Sequence, residues 1–213
     1  MDSEQCIHFF IEACQRRNVK VDVLLQGNGF VKHASPVKEV IRESRFADVL
    51  IVDPAMSFQD QLEAVPTSFA KELLAAAECP VLVAPAVFDD VDELVFCYDG
   101  QRSSVYAIKQ FSYLFPELNQ RKVTVLQIGE NEHPVSEKEA LRNWLSNYYN
   151  EIIFNQLVGD AGDELLQYFL LKKNMLAVMG AYGRSMISTF FKKSSADLVL
   201  RVVDLPLFIA HNK

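Results

Sequence analysis

The chain of 213 residues holds eight glycines and four cysteines, and neither set is arranged for the commoner chemistries of its residue type. No Gly-Lys-Ser or Gly-Lys-Thr occurs, which excludes a P-loop. Gly27-Asn28-Gly29 is followed by Lys32 where a dinucleotide fingerprint needs a third glycine. Cys6, Cys14, Cys79 and Cys97 form no Cys-x-x-Cys pair, so zinc ribbons and thioredoxin-like motifs drop out and the four read as buried thiols. His8, His33, His133 and His211 make no His-Glu-x-x-His, and Gly-x-Ser-x-Gly is absent, so neither a metal site nor a catalytic constellation is written here. No apolar run reaches the roughly 18 residues of a membrane helix, and Met1-Asp2-Ser3-Glu4-Gln5 is acidic where a secretion signal is basic. The expectation is a cytoplasmic protein with no membrane partner. Positive charge is short too: 21 Lys and Arg against 28 Asp and Glu leave a net −7, which excludes a nucleic-acid backbone as the main partner.

What the chain does have is a hydrophobic content of 50%, enough for a buried core, in short apolar runs. Strands are expected at Val21–Leu25, Asp48–Val52, Pro80–Ala84, Leu94–Tyr98, Lys122–Ile128, Glu151–Phe154, Met175–Met179 and Pro206–Ala210. Most are apolar throughout, as in parallel strands covered on both faces. Between them, Glu4–Arg17, Ser35–Ser44, Ser68–Ala77, Ser103–Leu114, Ser136–Tyr148, Asp160–Lys172 and Ser194–Val203 carry apolar residues at helical spacing, several opening on a Ser or Asp suited to an N-cap. The alternation predicts an α/β fold with a mostly parallel sheet.

A shift of 126 residues brings two stretches into ungapped register. Val49-Leu50-Ile51-Val52 falls on Met175-Leu176-Ala177-Val178, and Glu78-Cys79-Pro80-Val81-Leu82-Val83-Ala84 on Asp204-Leu205-Pro206-Leu207-Phe208-Ile209-Ala210. Equal loop lengths and the shared acidic-x-Pro before the last strand argue for duplication. The copies are unequal, because the first lacks the strand, helix and strand that the second carries from Leu94 to Ile128. The expected organisation is a partial domain over 1–87, an acidic linker over 88–93 and a complete domain over 94–213.

In the second copy, Val178-Met179-Gly180-Ala181-Tyr182-Gly183-Arg184-Ser185 is followed, nine residues after Gly183, by Lys193-Ser194. This resembles the universal stress protein family, whose signature after the fourth strand is Gly-x-x-Gly, nine residues, then Gly-Ser or Gly-Thr. Val95-Phe96-Cys97-Tyr98-Asp99-Gly100 is similar to the family's first strand with its terminal Asp-Gly, and Glu78-Cys79-Pro80-Val81-Leu82-Val83 to its last. The resemblance implies a doubly wound, mostly parallel five-stranded sheet of the adenine nucleotide alpha-hydrolase-like type, ordered 3-2-1-4-5, as one complete domain plus a partial repeat. It also implies a stress-response protein that binds ATP or AMP. Asp99 would hold the adenosine end, Ile128 would line the pocket, and Gly180, Gly183 and Ser194 would receive the phosphates.

Two departures mark that site as degenerate. Lys193 stands where nucleotide-binding members have the third glycine, where its side chain would fill phosphate space or its ammonium neutralise the phosphate, and Gln101-Arg102-Ser103 replaces the commoner Ser-Glu-x. Arg184 and Lys192 add local positive charge. In the first copy Gly180, Gly183 and Lys193 become Pro54, Ser57 and Thr67, so no nucleotide is expected there, Asp53-Pro54 reads as a turn, and Thr67-Ser68 as a helix cap. The resemblance further implies pairing of the last strands, Pro80–Pro85 with Pro206–His211, antiparallel within one chain, with a homodimer as a further step. Two alternatives stay open: a ligand-free dimerisation or scaffold module with a relic glycine loop, and a slow nucleotide hydrolase. Finally, the missing strands would separate strand three of the first copy from strand four, and buried unpaired edges are costly. Val21–Leu25 is therefore expected to move beside Asp48–Val52, or to be completed by another chain, or the natural product to begin upstream of Met1.

Overall fold

The structure, a computed structural model of the 213-residue chain, describes residues 3–21, 35–59, 61–85, 88, 90–128, 135–180 and 205–211. Two compact units divide between Ser35 and Pro36. The first contains helix α1 (Ser3–Arg16), where His8 and Arg16 each reach Glu12 across one turn, at 3.2 and 3.1 Å. Asn18, at φ +57°, closes that helix, and the Val19 N–H bonds the Cys14 carbonyl at 2.9 Å. Cys14 is half-buried rather than fully buried. Of the expected strand Val21–Leu25, residues 22–25 lie outside the described residues.

The second unit is built on one sheet. Strands β1 (Leu50–Val52), β2 (Val81–Val83), β3 (Glu93–Tyr98), β4 (Lys122–Ile128), β5 (Ile152–Leu157), β6 (Met175–Gly180) and β7 (Leu207–Ala210) run in the order β1-β2-β7-β6-β3-β4-β5. Helices α2 (Pro36–Ser44), α3 (Ser68–Ala76), α4 (Arg102–Leu114), α5 (Val135–Leu145) and α6 (Ala161–Leu170) cover it, with a 3-10 turn at Pro116–Leu118. The helix expected at 194–203 lies outside the described residues. The five strands β5-β4-β3-β6-β7 reproduce the 3-2-1-4-5 order, and β2 and β1 extend the sheet to seven.

The apolar runs are explained by cover on both faces. Every residue of β3 and of β6 is buried. Phe96 points to a cluster with Ile108 and Phe111 of α4 and Leu145 of α5, while its neighbours Val95 and Cys97 point to the opposite cluster with Leu73 of α3 and Leu165 and Phe169 of α6. The outermost strand β5 instead alternates half-buried and exposed positions.

All strand pairs are parallel except β2 with β7, which are antiparallel in the register Val81↔Ile209, Leu82↔Phe208 and Val83↔Leu207. The two apolar strand ends thus pair within one chain, as expected. The His211 Nε2 lies 2.6 Å from the Leu74 carbonyl and fastens the end of β7 to α3. No described strand pairs with the outer edge of β1, where Ile51 is 62% exposed.

The acidic stretch expected to be a linker is anchored. Asp90 meets Arg121 at 3.1 Å, and Asp92 accepts from the Asn174 amide at 3.0 Å. Glu93 is the first residue of β3 and is buried, its carboxylate accepting from the Thr124 hydroxyl at 2.5 Å and the Lys172 ammonium at 2.8 Å, with Lys122 at 3.4 Å. Burial works to raise the Glu93 pKa, but Lys172 and Thr124, helped by Lys122, outweigh it and hold the carboxyl below its ordinary value. A depressed folded pKa stabilises above the unfolded value and loses that contribution as pH falls through the folded one. Glu93→Gln is therefore expected to cost about 2 kcal/mol at neutral pH, between the worth of exposed and buried pairs. In urea denaturation across pH, the gap to wild type should close at acid pH.

Candidate functional site

The candidate site lies at the carboxyl ends of β3, β4 and β6. Strands β3 and β6 are paired through Phe96↔Val178, and both end two residues later, at Tyr98 and Gly180. On the far side of β3 lies β4, and on the far side of β6 lies β7, so the strand order reverses between β3 and β6. Doubly wound sheets take ligands at such a reversal.

Asp99 follows β3 and is half-buried. Its Oδ1 accepts the Gln101 N–H at 3.0 Å, turning the chain through Gly100, which sits at φ +74°. Helix α4 then begins at Arg102, one residue before the expected Ser103, and its N-cap Gln101 makes no side-chain capping bond. Instead the Ser104 hydroxyl donates back to the Gln101 carbonyl at 2.8 Å.

Gly180 is buried at the end of β6, where its backbone pairs with Ala210 of β7. A Cβ there would stand 2.4 Å from the Ser103 carbonyl carbon and 2.6 Å from the Ser104 nitrogen. The first turn of α4 thus rests directly on β6, and helix packing is what demands the glycine. Ser103 and Ser104 are both buried in this contact, and sequence patterning missed them because serine in a first turn reads as capping.

The Ile128 backbone ends β4, in register with Leu157 of β5. Gly183, Lys193 and Ser194, with Arg184 and Lys192, lie outside the described residues. The structure therefore brings Asp99 and Gly180 to one end of two adjacent strands, with Ile128 at the end of the next.

Among the described residues, two carboxylates act on Tyr98 at this end. Burial pushes the Tyr98 phenol up, and Glu137 and Asp99 push it further. Burial likewise drives the Cys97 thiol far up, with Asp99 adding to it, so this cysteine is inert. Among the described residues no group of His, Cys, Asp and Glu could hold a metal ion, and no helix is long and apolar enough to cross a membrane. A crevice of about 100 Å³ near the Pro116–Leu118 turn, lined by residues such as Ser112, Asn119 and Tyr149, contains none of the candidate residues. It is also well below the ~300 Å³ of small-molecule sites.

No protein-family model matches the chain. The universal stress protein Slr1230 of Synechocystis sp. is 28% identical over 131 residues, covering 60% of this chain and 45% of that protein. The chain thus spans less than half the length of this curated relative. A universal stress protein structure from Archaeoglobus fulgidus aligns with 98% of this chain and 77% of its own length, at 16% identity and a TM-score of 0.65. A putative universal stress protein structure from Pseudomonas aeruginosa aligns with 99% and 79%, at 14% identity and a TM-score of 0.58. The fold, a mostly parallel sheet flanked by helices, is therefore shared with these structures. The chain is thus similar in fold to universal stress protein structures and, over 131 residues, similar in sequence to one universal stress protein.

Two glycines at this end make opposite demands, and both are testable. Gly180→Ala must push the first turn of α4 away and is expected to cost about 1–3 kcal/mol, as overpacking does. Gly100→Ala forces an L residue into the left-handed region and should cost about 1–2 kcal/mol. Urea denaturation of each variant measures both.

Proposed function

We propose that this chain is a universal stress protein-like stress-response protein with a degenerate ATP or AMP site in residues 94–213. Residues 1–87 would be a partial repeat serving as its internal partner. The observation that carries this reading is the side-by-side ending of β3 and β6 at the reversal of strand order, with Asp99 at its mouth. Asp99 would hold the adenosine end of the nucleotide, Ile128 would line the pocket, and Gly183 and Ser194 would meet the phosphates near the N-terminus of the following helix. Lys193 would take up space that a third glycine leaves free, weakening the site. Gly180 acts behind them, letting α4 close on β6.

A ligand-free scaffold is the second reading, and one observation favours it. The contact with Ser103 and Ser104 accounts for Gly180 without any ligand.

Calorimetric titration with ATP and AMP separates the two. The nucleotide reading expects weak binding to wild type, loss in Gly183→Val, and a gain of about tenfold or more, or ~1.4 kcal/mol, in Lys193→Gly. Absence of binding in wild type at millimolar nucleotide, with restoration in Lys193→Gly, leaves the scaffold.

A further inference from the structure

Residues 53–67 join β1 to α3, and under the 126-residue shift they correspond to the segment that carries Gly180, Gly183 and Lys193. The correspondence rests on the duplication proposed above. Ser57 takes the place of Gly183, and Ser68 that of Ser194, the two positions proposed to meet phosphate. Between them the structure holds a carboxylate. Glu63 Oε2 accepts from the Ser57 hydroxyl, and Oε1 accepts the Ser68 N–H at 3.1 Å. Ser68 is the first residue of the nine-residue α3, so that N–H is one of the helix's unsatisfied donors.

The neighbouring atoms are arranged around this contact. The Gln59 N–H donates to the Ser57 Oγ at 3.1 Å, leaving the Ser57 proton for Glu63. Thr67 caps the helix by accepting the Ala70 N–H at 3.3 Å, gives its own hydroxyl proton to the Met56 carbonyl, and its N–H bonds the Pro54 carbonyl at 3.0 Å. Phe58 closes the loop over α3, edge-on to Phe69 at 4.8 Å. Lys71, in the first turn of α3, supplies the nearby positive charge. The Glu63 pKa is held below its ordinary value, first by the Ser57 hydroxyl and then by Ser68.

We infer that Glu63 is a built-in anion, whose carboxylate fills in the first half of the chain the place a phosphate would take between the equivalents of Gly183 and Ser194. The α3 N-terminus is thereby satisfied from within, and the β1–α3 loop is locked shut by its own side chain. An intramolecular carboxylate loses no translational freedom on binding, so a weakly held free anion competes poorly with it.

The Ser68 amide resonance reports on this directly. In wild type it should follow the protonation of Glu63 as pH falls and stay unmoved by millimolar inorganic phosphate. In Glu63→Ala the resonance should shift, and phosphate should then titrate it with an affinity at least about tenfold above wild type. Glu63→Gln keeps the side-chain volume and should abolish the acid titration of Ser68, which covers the case in which the alanine variant unfolds. An unchanged Ser68 resonance in Glu63→Ala, or equal phosphate responses in wild type and variant, overturns the inference. Phosphate uptake at Ser68 only in Glu63→Ala, in a chain that binds no ATP, would overturn the nucleotide reading and leave this one standing.

Discussion

The structure depends on β7 being hydrogen-bonded on both sides and covered on both faces. Leu207, Phe208, Ile209 and Ala210 are at most 2% exposed, with β6 parallel on one side and β2 antiparallel on the other. A pair of three-residue strands such as β1 and β2 has no independent stability in water. Joined to β7, the pair becomes the edge of a seven-stranded sheet, and Val81 and Val83 share one core with Leu207 and Ile209. Helix α3 covers this join with Leu73 and Leu74, and His211 meets its backbone. The antiparallel join is also what gives β1 and β2 a buried core to rest on. Among the described strands β1 lies at the margin, with exposed Ile51.

The same sheet decides what the glycine motif can mean. A Gly-x-x-Gly after a strand is usually read as one device for approaching an anion, yet Gly180 faces the backbone of α4 inside the core. Its missing Cβ sets the height of that helix above β6, and hence the place of the Asp99-Gly100 turn that precedes it. Asp99 is partly spent on that turn through the Gln101 N–H. Any ligand role for Asp99 therefore uses a carboxylate already oriented by the chain, which lowers the cost of ordering it.

Most of the sheet was legible because burial on both faces writes itself as continuous apolar runs. Lys122–Ile128 matches the observed strand residue for residue, while the antiparallel pairing of the last strands was legible through the family resemblance. What stayed hidden was chemistry supplied from a distance. Glu93 stood in an acidic run that reads as a solvated linker, while its partner Lys172 lies 79 residues away. The Ser103 and Ser104 contact with Gly180 joins the start of one helix to the end of a distant strand, and no local spacing reports it. Glu63 was invisible for the opposite reason: a lone acid in a loop is ordinary, and only folding sets it between Ser57 and Ser68.

If the proposed duplication holds, the loop over 53–67 and its counterpart in the second half would meet one requirement in different ways. A helix N-terminus at the carboxyl end of a strand presents free N–H groups whether or not a ligand exists, and those groups must be satisfied by something. Water and a diffusible anion are two solutions, and a side chain of the same loop is a third. Under the proposed duplication, Pro54 and Ser57 in place of loop glycines would remove backbone freedom that a visiting phosphate would exploit and would favour the third solution by making one loop shape persistent. Once a carboxylate occupies the place, selection for ligand contacts ends there and selection for packing continues. Phe58 set edge-on to Phe69 is the kind of contact that would follow. On this view the first half of the chain contributes stability and surface through β2 and α3, and any chemistry of a nucleotide belongs to the end of the sheet where β3 and β6 stop.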